Sequence, residues 1–340
     1  LDALNPNFKK YKAPDLPQAS ELFKDLQLGK RAALSRALTL VESKHQSHRA
    51  LAEKLVQLAL PHSGESIRIG ITGVPGVGKS TFIEAFGTLL TKLGKKVAVL
   101  AVDPSSSNNR GSILGDKTRM HNLSQNPQAF IRPSPSAGSL GGVAHKSRES
   151  ILLCEAAGYD VILIETVGVG QSETAVKHMV DFFMLLMLSG AGDELQGIKR
   201  GIMEMADLLV VNKADGNNQV KAKQAASEYK RALHLFPPKK NEWITAVQTC
   251  SALEQLGMES IWETITSFEN HQRLKGFFKE NRTDQNLHWF EEALGHMVLD
   301  TFYQSAKNKL DNYKEAVKKG EMEAYKAARE LVKKLIKKSR

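Results

Sequence analysis

The sequence predicts an α/β fold: a mostly parallel sheet flanked by helices, with N- and C-terminal helical extensions. Two observations carry this expectation. Through the middle of the chain, short β-branched runs at 67–72, 97–102, 161–165, 183–188, 208–212 and 244–249 alternate with helix-length segments. Such alternation builds crossovers between parallel strands that are covered on both faces. Towards both ends strands vanish, and apolar residues recur at helical spacing instead.

Taken in order, residues 1–19 carry Pro6, Pro14 and Pro17 and read as an irregular lead-in. From 20 to 60, Leu22, Leu26, Leu34, Leu38, Val41, Leu51, Leu55 and Leu58 predict two amphipathic helices that need a surface to pack on. Residues 1–60 are thus expected to form an N-terminal helical extension, 61–268 the central domain and 269–340 a C-terminal helical arm. In that arm Phe277, Phe278, Leu287, Phe290, Leu294, Met297, Val298 and Phe302 make a helical stripe, followed by a Lys-rich helix after Gly320. An apolar stripe on a terminal helix docks on its own domain or pairs with a second copy. The pattern leaves both open.

Composition removes several function classes. A content of 41% hydrophobic and 25% charged residues is ordinary for a globular protein of 340 residues. The longest purely apolar run, 182–188, falls well short of the roughly 20 residues a membrane helix needs, so no membrane association is expected. No basic-then-apolar leader pattern points to export, although a chain beginning at Leu1 leaves room for a trimmed segment. Cys154 and Cys250 stand far apart without a C-x-x-C pair, so neither a disulfide framework nor a zinc site is expected. A reducing cytosol, or a mitochondrial matrix in a eukaryote, fits this usage. The net charge is +10, but residues 307–340 hold 12 Lys/Arg against 5 Asp/Glu. Without aromatic-basic interleaving this reads as a solvated helix face, and no nucleic-acid binding is expected.

The strongest chemical signal is Gly73-Val74-Pro75-Gly76-Val77-Gly78-Lys79-Ser80, a full G-x-x-x-x-G-K-S followed by Thr81. It lies between a predicted strand and a helical pattern beginning near Lys79, the context of a phosphate-binding loop. This narrows the fold class to a P-loop NTPase. The glycines let backbone N–H groups turn inward around phosphate oxygens, and the helix N-terminus adds positive potential. Lys79 is expected to reach the β- and γ-phosphates, and the Ser80 hydroxyl to ligate Mg²⁺.

The second signal names the base. Asn212-Lys213-Ala214-Asp215 follows a buried strand as N-K-x-D. A carboxylate accepts two hydrogen bonds at once, which matches guanine N1–H and its 2-amino group; adenine lacks that donor pair. GTP and GDP are therefore the expected ligands, with Lys213 packed along the base. Ser251-Ala252-Leu253 follows the last strand, and its backbone N–H groups are expected at the guanine carbonyl, with a plain polar turn as the alternative.

Three carboxylates are candidates for the chemistry, and Asp103 stands at a strand end, where open α/β sheets place ligands. Asp103 ends the second strand and is expected on the metal side, although it could also cap a helix before Pro104. Glu165 ends the run 160–165 and is expected near metal or water, with Gly168 sensing the γ-phosphate. Asp116 stands in Gly115-Asp116-Lys117-Thr118 and is either catalytic or an ordinary N-cap. Val169 occupies the position where many Ras-like GTPases hold a water-orienting Gln, so slow intrinsic hydrolysis is expected. The stretch 190–201 alternates glycines with Asp193, Glu194, Lys199 and Arg200; it reads as a phosphate or partner contact no more readily than as a plain loop.

Longer motifs sharpen the reading. Val102-Asp103-Pro104-Ser105-Ser106, the run 111–120, Arg132-Pro133-Ser134-Pro135, 140–143, 164–173 and 192–199 together resemble the methylmalonyl-CoA mutase-associated GTPase chaperones, the family that includes the human methylmalonic aciduria type A protein. The resemblance spans about residues 28–300. It implies a SIMIBI-class GTPase, homodimeric, whose partner is an adenosylcobalamin-dependent acyl-CoA mutase. Nucleotide state would gate cofactor delivery and protect or reactivate the mutase. By motif, Asp103 and Asp116 fall in a first switch, 165–168 in a second and 193–199 in a third, where Lys199 approaches the phosphates once the mutase binds. One departure is Arg110-Gly111, where the family often has Gly-Gly. Two other classes share parts of this pattern. A protein kinase linked to amino-acid transport is disfavoured by N-K-x-D, and a metal-insertion GTPase by the lack of a Cys/His cluster.

Overall fold

Burial on both faces explains why the strands read as continuous apolar runs. In the computed structural model, which describes residues 16–43, 45–102, 120–133, 140–166, 172–190 and 200–336, seven strands form one sheet. They are β1 Ile67–Gly73, β2 Val97–Val102, β3 Ala129–Arg132, β4 Val161–Thr166, β5 Phe182–Met187, β6 Leu208–Val211 and β7 Ala246–Thr249. Their order is β3-β2-β4-β1-β5-β6-β7, and every pairing is parallel. All residues of β1, β2, β4, β5 and β6 are buried, whereas the edge strand β7 is only partly covered.

From β1 the chain moves to one side for β2, β3 and β4, then crosses to the other for β5, β6 and β7. That reversal opens a crevice at the carboxyl ends of the strands beside β1. Register sharpens the placement: Ile71 of β1 lies opposite Glu165 of β4, and Gly73 opposite Leu186 of β5. Five of the expected strands match to within a residue at each end. The sixth starts at Ala246 rather than at 244, where Ile244 is exposed. β3 was not expected. Four residues, Ala-Phe-Ile-Arg, are too short a run to stand out.

The N-terminal segment holds three helices rather than the expected two: α1 Ala19–Gln27, α2 Arg31–Glu42 and α3 Gln46–Ala59. The apolar spacing runs on through a break at Gly29, whose φ of 73° ends α1. After α4 Lys79–Lys92 and the short α5 His121–Gln125, α6 Leu140–Ala156 receives α2 and α3. Lys146 donates to the carbonyl of Val41, and Arg132 pairs with Glu42 and donates to Thr39 Oγ1 at 3.2 Å. The central unit continues through α7 Ser172–Lys177, α8 Arg200–Met205, α9 Gln219–Leu233 and α10 Met258–Leu274.

The chain divides into two compact units, 1–278 and 279–340. The second is made by α11 Phe277–Lys318 and α12 Ala324–Ile336. Between them lies an open apolar groove of about 730 Å³, lined by Phe302, Tyr313, Val317 and Leu331 among others. Along α11, Leu287, Phe290, Leu294, Met297 and Val298 are exposed. Among the described residues, no helix is long and apolar enough to cross a membrane.

Candidate nucleotide site

β1 runs straight into the glycine-rich turn, and α4 starts at Lys79. Two glycines are required by what surrounds them. Gly73 has φ +158°, and a Cβ there would fall 2.5 Å from the carbonyl oxygen of Leu186, so no side chain fits between β1 and β5. Gly78 caps α4 in the left-handed region, φ +91°. Lys79 Nζ donates to the Gly73 carbonyl at 3.0 Å, which folds the ammonium over the turn. Val77 is fully buried beneath it.

Ser80 Oγ donates to Glu165 Oε1 at 3.4 Å. The two come together because Glu165 sits near the end of β4, between β1 and β2, and its carboxyl is buried against the first turn of α4. One residue on, Thr166 Oγ1 donates to Thr72 Oγ1 at 2.8 Å, both buried. That pair satisfies two polar groups just below the turn. Its partners are 94 residues apart, so no local pattern announces it.

The base-reading half is built from the ends of β6 and β7. Asn212, buried directly after β6, donates through Nδ2 to the Val77 carbonyl at 2.8 Å. Its Oδ1 accepts from the Ala252 N–H at 3.1 Å and from the Cys250 thiol at 3.3 Å. A Cβ on Gly78 would lie 3.2 Å from Asn212 Nδ2 and 3.9 Å from Lys213 Cε, so the two motifs touch. Asp215 Oδ2 accepts from Ser251 Oγ at 2.7 Å, and that hydroxyl in turn accepts from the Glu254 N–H at 3.1 Å. One carboxylate oxygen is thereby fixed, which orients the group.

The third expected segment, 251–253, follows β7 and has its own hydrogen bonds. The Ser251 N–H donates to the Leu256 carbonyl at 3.1 Å, and the Ala252 N–H goes to Asn212; Leu253 is exposed. Cys250, which no motif had marked, lies under Asn212. Burial, then the nearby Asp215 carboxylate, push its thiol up to about 12, so it stays a neutral S–H donor. Asp103, Asp116, Gly168, Val169 and the 193–199 stretch with Lys199 lie outside the described residues.

The geometry thus joins a phosphate turn, a hydroxyl–carboxylate pair and an oriented Asp along one sheet edge. A family profile described as methylmalonyl Co-A mutase-associated GTPase MeaB matches residues 34–308. The chain belongs to the MeaB family. The MeaB match covers both the phosphate turn and the N-K-x-D loop. The chain is 50% identical over 294 residues to GTPase ArgK of Escherichia coli (strain K12), covering 84% of this chain and 89% of that one. It is 48% identical over 291 residues to the mitochondrial methylmalonic aciduria type A homolog of Mus musculus, covering 83% of this chain and 70% of that protein. Among solved structures, the crystal structure of LAO/AO transport system kinase superposes with a TM-score of 0.75 at 40% identity, covering 94% of this chain and 99% of that one. This MeaB-family protein is a P-loop GTPase that binds GTP and GDP.

Proposed function

We propose that this GTPase works with Mg²⁺ and services an adenosylcobalamin-dependent acyl-CoA mutase, methylmalonyl-CoA mutase or a close relative. Its nucleotide cycle gates cofactor delivery and protects or reactivates the mutase. The family description, mutase-associated, is the observation that carries the partner. Lys79 binds the β- and γ-phosphates, and 73–81 wraps them with backbone N–H groups. Asn212, Lys213 and Asp215 read guanine, and 251–253 closes the base pocket.

The donor set suits Mg²⁺. Ser80 and Glu165 offer hard oxygens 3.4 Å apart, close to the roughly 3 Å between neighbouring ligands around an octahedral ion with 2.0–2.1 Å bonds. Ser80 would bind the ion directly, with Asp103 and Glu165 on the metal side, and Mg²⁺ would supply charge neutralisation at the phosphates. Among the described residues no three His, Cys, Asp or Glu side chains form a cage, and an ion shared with phosphates needs none. Asp116 and Glu165 orient water, Gly168 senses the γ-phosphate, and Lys199 adds charge when the partner docks.

The exposed apolar stripe of α11 supports a homodimer, which light scattering on the full-length chain at micromolar concentration tests. The protein is placed in the cytoplasm, or in the mitochondrial matrix of a eukaryote. A kinase reading draws on the name of the solved neighbour. Against it stands the N-K-x-D motif, whose Asp215 accepts from Ser251 Oγ and is read as the guanine acceptor.

The deciding experiment measures GTP turnover alone and with purified cobalamin-dependent mutases, methylmalonyl-CoA mutase first. Stimulation by one mutase is expected. No response to any of them, together with phosphate transfer from nucleotide to a transport protein, would replace this function with the kinase.

A further inference from the structure

Asn218 stands at the N-cap of α9, a position where Asn ordinarily bonds its own helix. It makes no side-chain cap hydrogen bond. Its amide turns backwards instead: Nδ2 donates to the Lys213 carbonyl at 2.6 Å, and Oδ1 accepts from Ser189 Oγ at 2.7 Å. The amide orientation follows from its partners, because a carbonyl can only accept.

The residue it grips is unusual. Lys213 has φ +60°, a left-handed conformation that a residue with a Cβ rarely adopts. Three hydrogen bonds hold the turn beyond it: Asn218 Nδ2 to Lys213 O, Ala214 N–H to Cys250 O at 2.9 Å, and Asn218 N–H to Asp215 O at 2.9 Å. Gly216, at φ +47°, lets the chain close on itself. Two of these bonds come from Asn218. Ser189 stands two residues past β5, so the same amide anchors the turn to the neighbouring strand end.

We infer that Asn218 is a positioning residue for base recognition: its amide holds Lys213 left-handed and so aims Asp215 and the Lys213 stem at guanine. The inference rests on the reading that Asp215 recognises guanine. Asn218 is half-buried, and its side-chain hydrogen bonds go to Lys213 and Ser189 rather than to the phosphate turn or Glu165, which assigns it to base choice.

The test compares dissociation constants for GDP and IDP, which lacks the 2-amino group, in wild type, Asn218→Asp, Asn218→Ala and Asp215→Ala. Asn218→Asp keeps size and the acceptor for Ser189 but removes the donor to Lys213. Any uniform loss of affinity cancels in the IDP/GDP ratio, so a merely structural defect does not move it. Asn218→Asp and Asn218→Ala are expected to lower that ratio about fivefold to tenfold. A ratio unchanged in both Asn218 variants while Asp215→Ala collapses it would overturn the inference and leave the base reading intact. A wild type that does not discriminate, or an Asp215→Ala protein with an unchanged ratio, would remove the base reading itself. Should Asn218→Ala fail to fold, the near-isosteric Asn218→Asp still decides.

Discussion

The side-chain amide of Asn212 donates to the Val77 carbonyl at 2.8 Å, so a residue of the N-K-x-D loop is bonded to the middle of the phosphate turn 135 positions earlier. Its other end accepts from Ala252 and Cys250. Three loops therefore share one buried amide. Asn212→Ala leaves several buried polar groups without partners, at about 1–3 kcal/mol each. Nucleotide affinity is expected to fall by at least about tenfold, and the melting temperature of the nucleotide-free protein by several degrees (roughly 2–4 °C per kcal/mol at this size). Calorimetry and thermal melts measure the two effects; a variant that melts like wild type and binds GDP normally contradicts the shared-amide account.

Asp215→Asn replaces an acceptor pair with one acceptor and one donor. Preference is expected to move from GTP towards xanthosine triphosphate, which carries a carbonyl where guanine has its amine. Loss of paired hydrogen bonds in such a site discriminates by as much as about 10⁴. Competition between the two triphosphates reads the shift directly, and wild-type protein that binds ATP as well as GTP would sink the assignment.

Lys199 is proposed to act only in the complex with mutase. Lys199→Ala should leave basal turnover and GTP affinity nearly unchanged and sharply reduce mutase-stimulated turnover, because the charge is needed only in the transition state. A two-by-two comparison, wild type and variant with and without mutase, measures it. Equal fold-stimulation in both proteins removes Lys199 from the mechanism.

Away from the site, Arg68 and Glu155 form a buried two-pronged pair, with bonds of 2.9 and 2.8 Å. Glu155 also accepts from Ser66 Oγ at 2.6 Å and from the Gly64 N–H at 3.0 Å. Arg68→Ala removes both guanidinium bonds from that buried carboxylate and is expected to cost about 3–5 kcal/mol. Urea unfolding at neutral pH checks this; a loss below about 1 kcal/mol, the range of an exposed pair, would mean that water reaches Glu155.

Asp207 sets an acid limit. Burial opposes its ionisation, but Lys177 at 3.2 Å, Lys239 at 2.7 Å and the Phe183 N–H at 2.9 Å together hold its carboxyl below the ordinary range. A depressed carboxylate adds stability above its unfolded pKa of about 4 and loses it as pH falls through the folded value. Asp207→Asn is expected to be less stable than wild type at pH 7, with the gap narrowing below about pH 4. Unfolding curves across pH 2.5–7 (about one unit below the carboxylate range to neutrality) test this. A gap that widens in acid would reverse the sign.

Much of the site was legible because its chemistry is contiguous. Gly73 to Ser80 and Asn212 to Asp215 each form one uninterrupted stretch at a strand end, where backbone turn geometry needs those residue types in that order. Ser80 and Glu165 were both readable, the first from the phosphate-loop motif and the second from its strand end. Their 3.4 Å approach was not, since it depends on β4 lying beside β1. Cys250 and Asn218 carried no signal: one looks like an ordinary buried thiol, the other like a helix cap.

Taken alone, then, the sequence determined the α/β class, six of the seven strands, the phosphate turn, the guanine motif and the family, since each is written in local period or unbroken motif. Tertiary structure decided that the N-terminal segment folds as three helices, of which α2 and α3 pack on α6, that Ala129–Arg132 joins the sheet edge, and that Asn218 bends back to Lys213. It also set Thr166 on Thr72 and Cys250 under Asn212. The reason is physical: most of these features are contacts between residues distant along the chain. The extra N-terminal helix comes from a break at Gly29 that the apolar period runs across, and the Asn218 bond, though local, departs from the cap its position announces. Hydrogen-bond satisfaction is settled only when the strand ends converge.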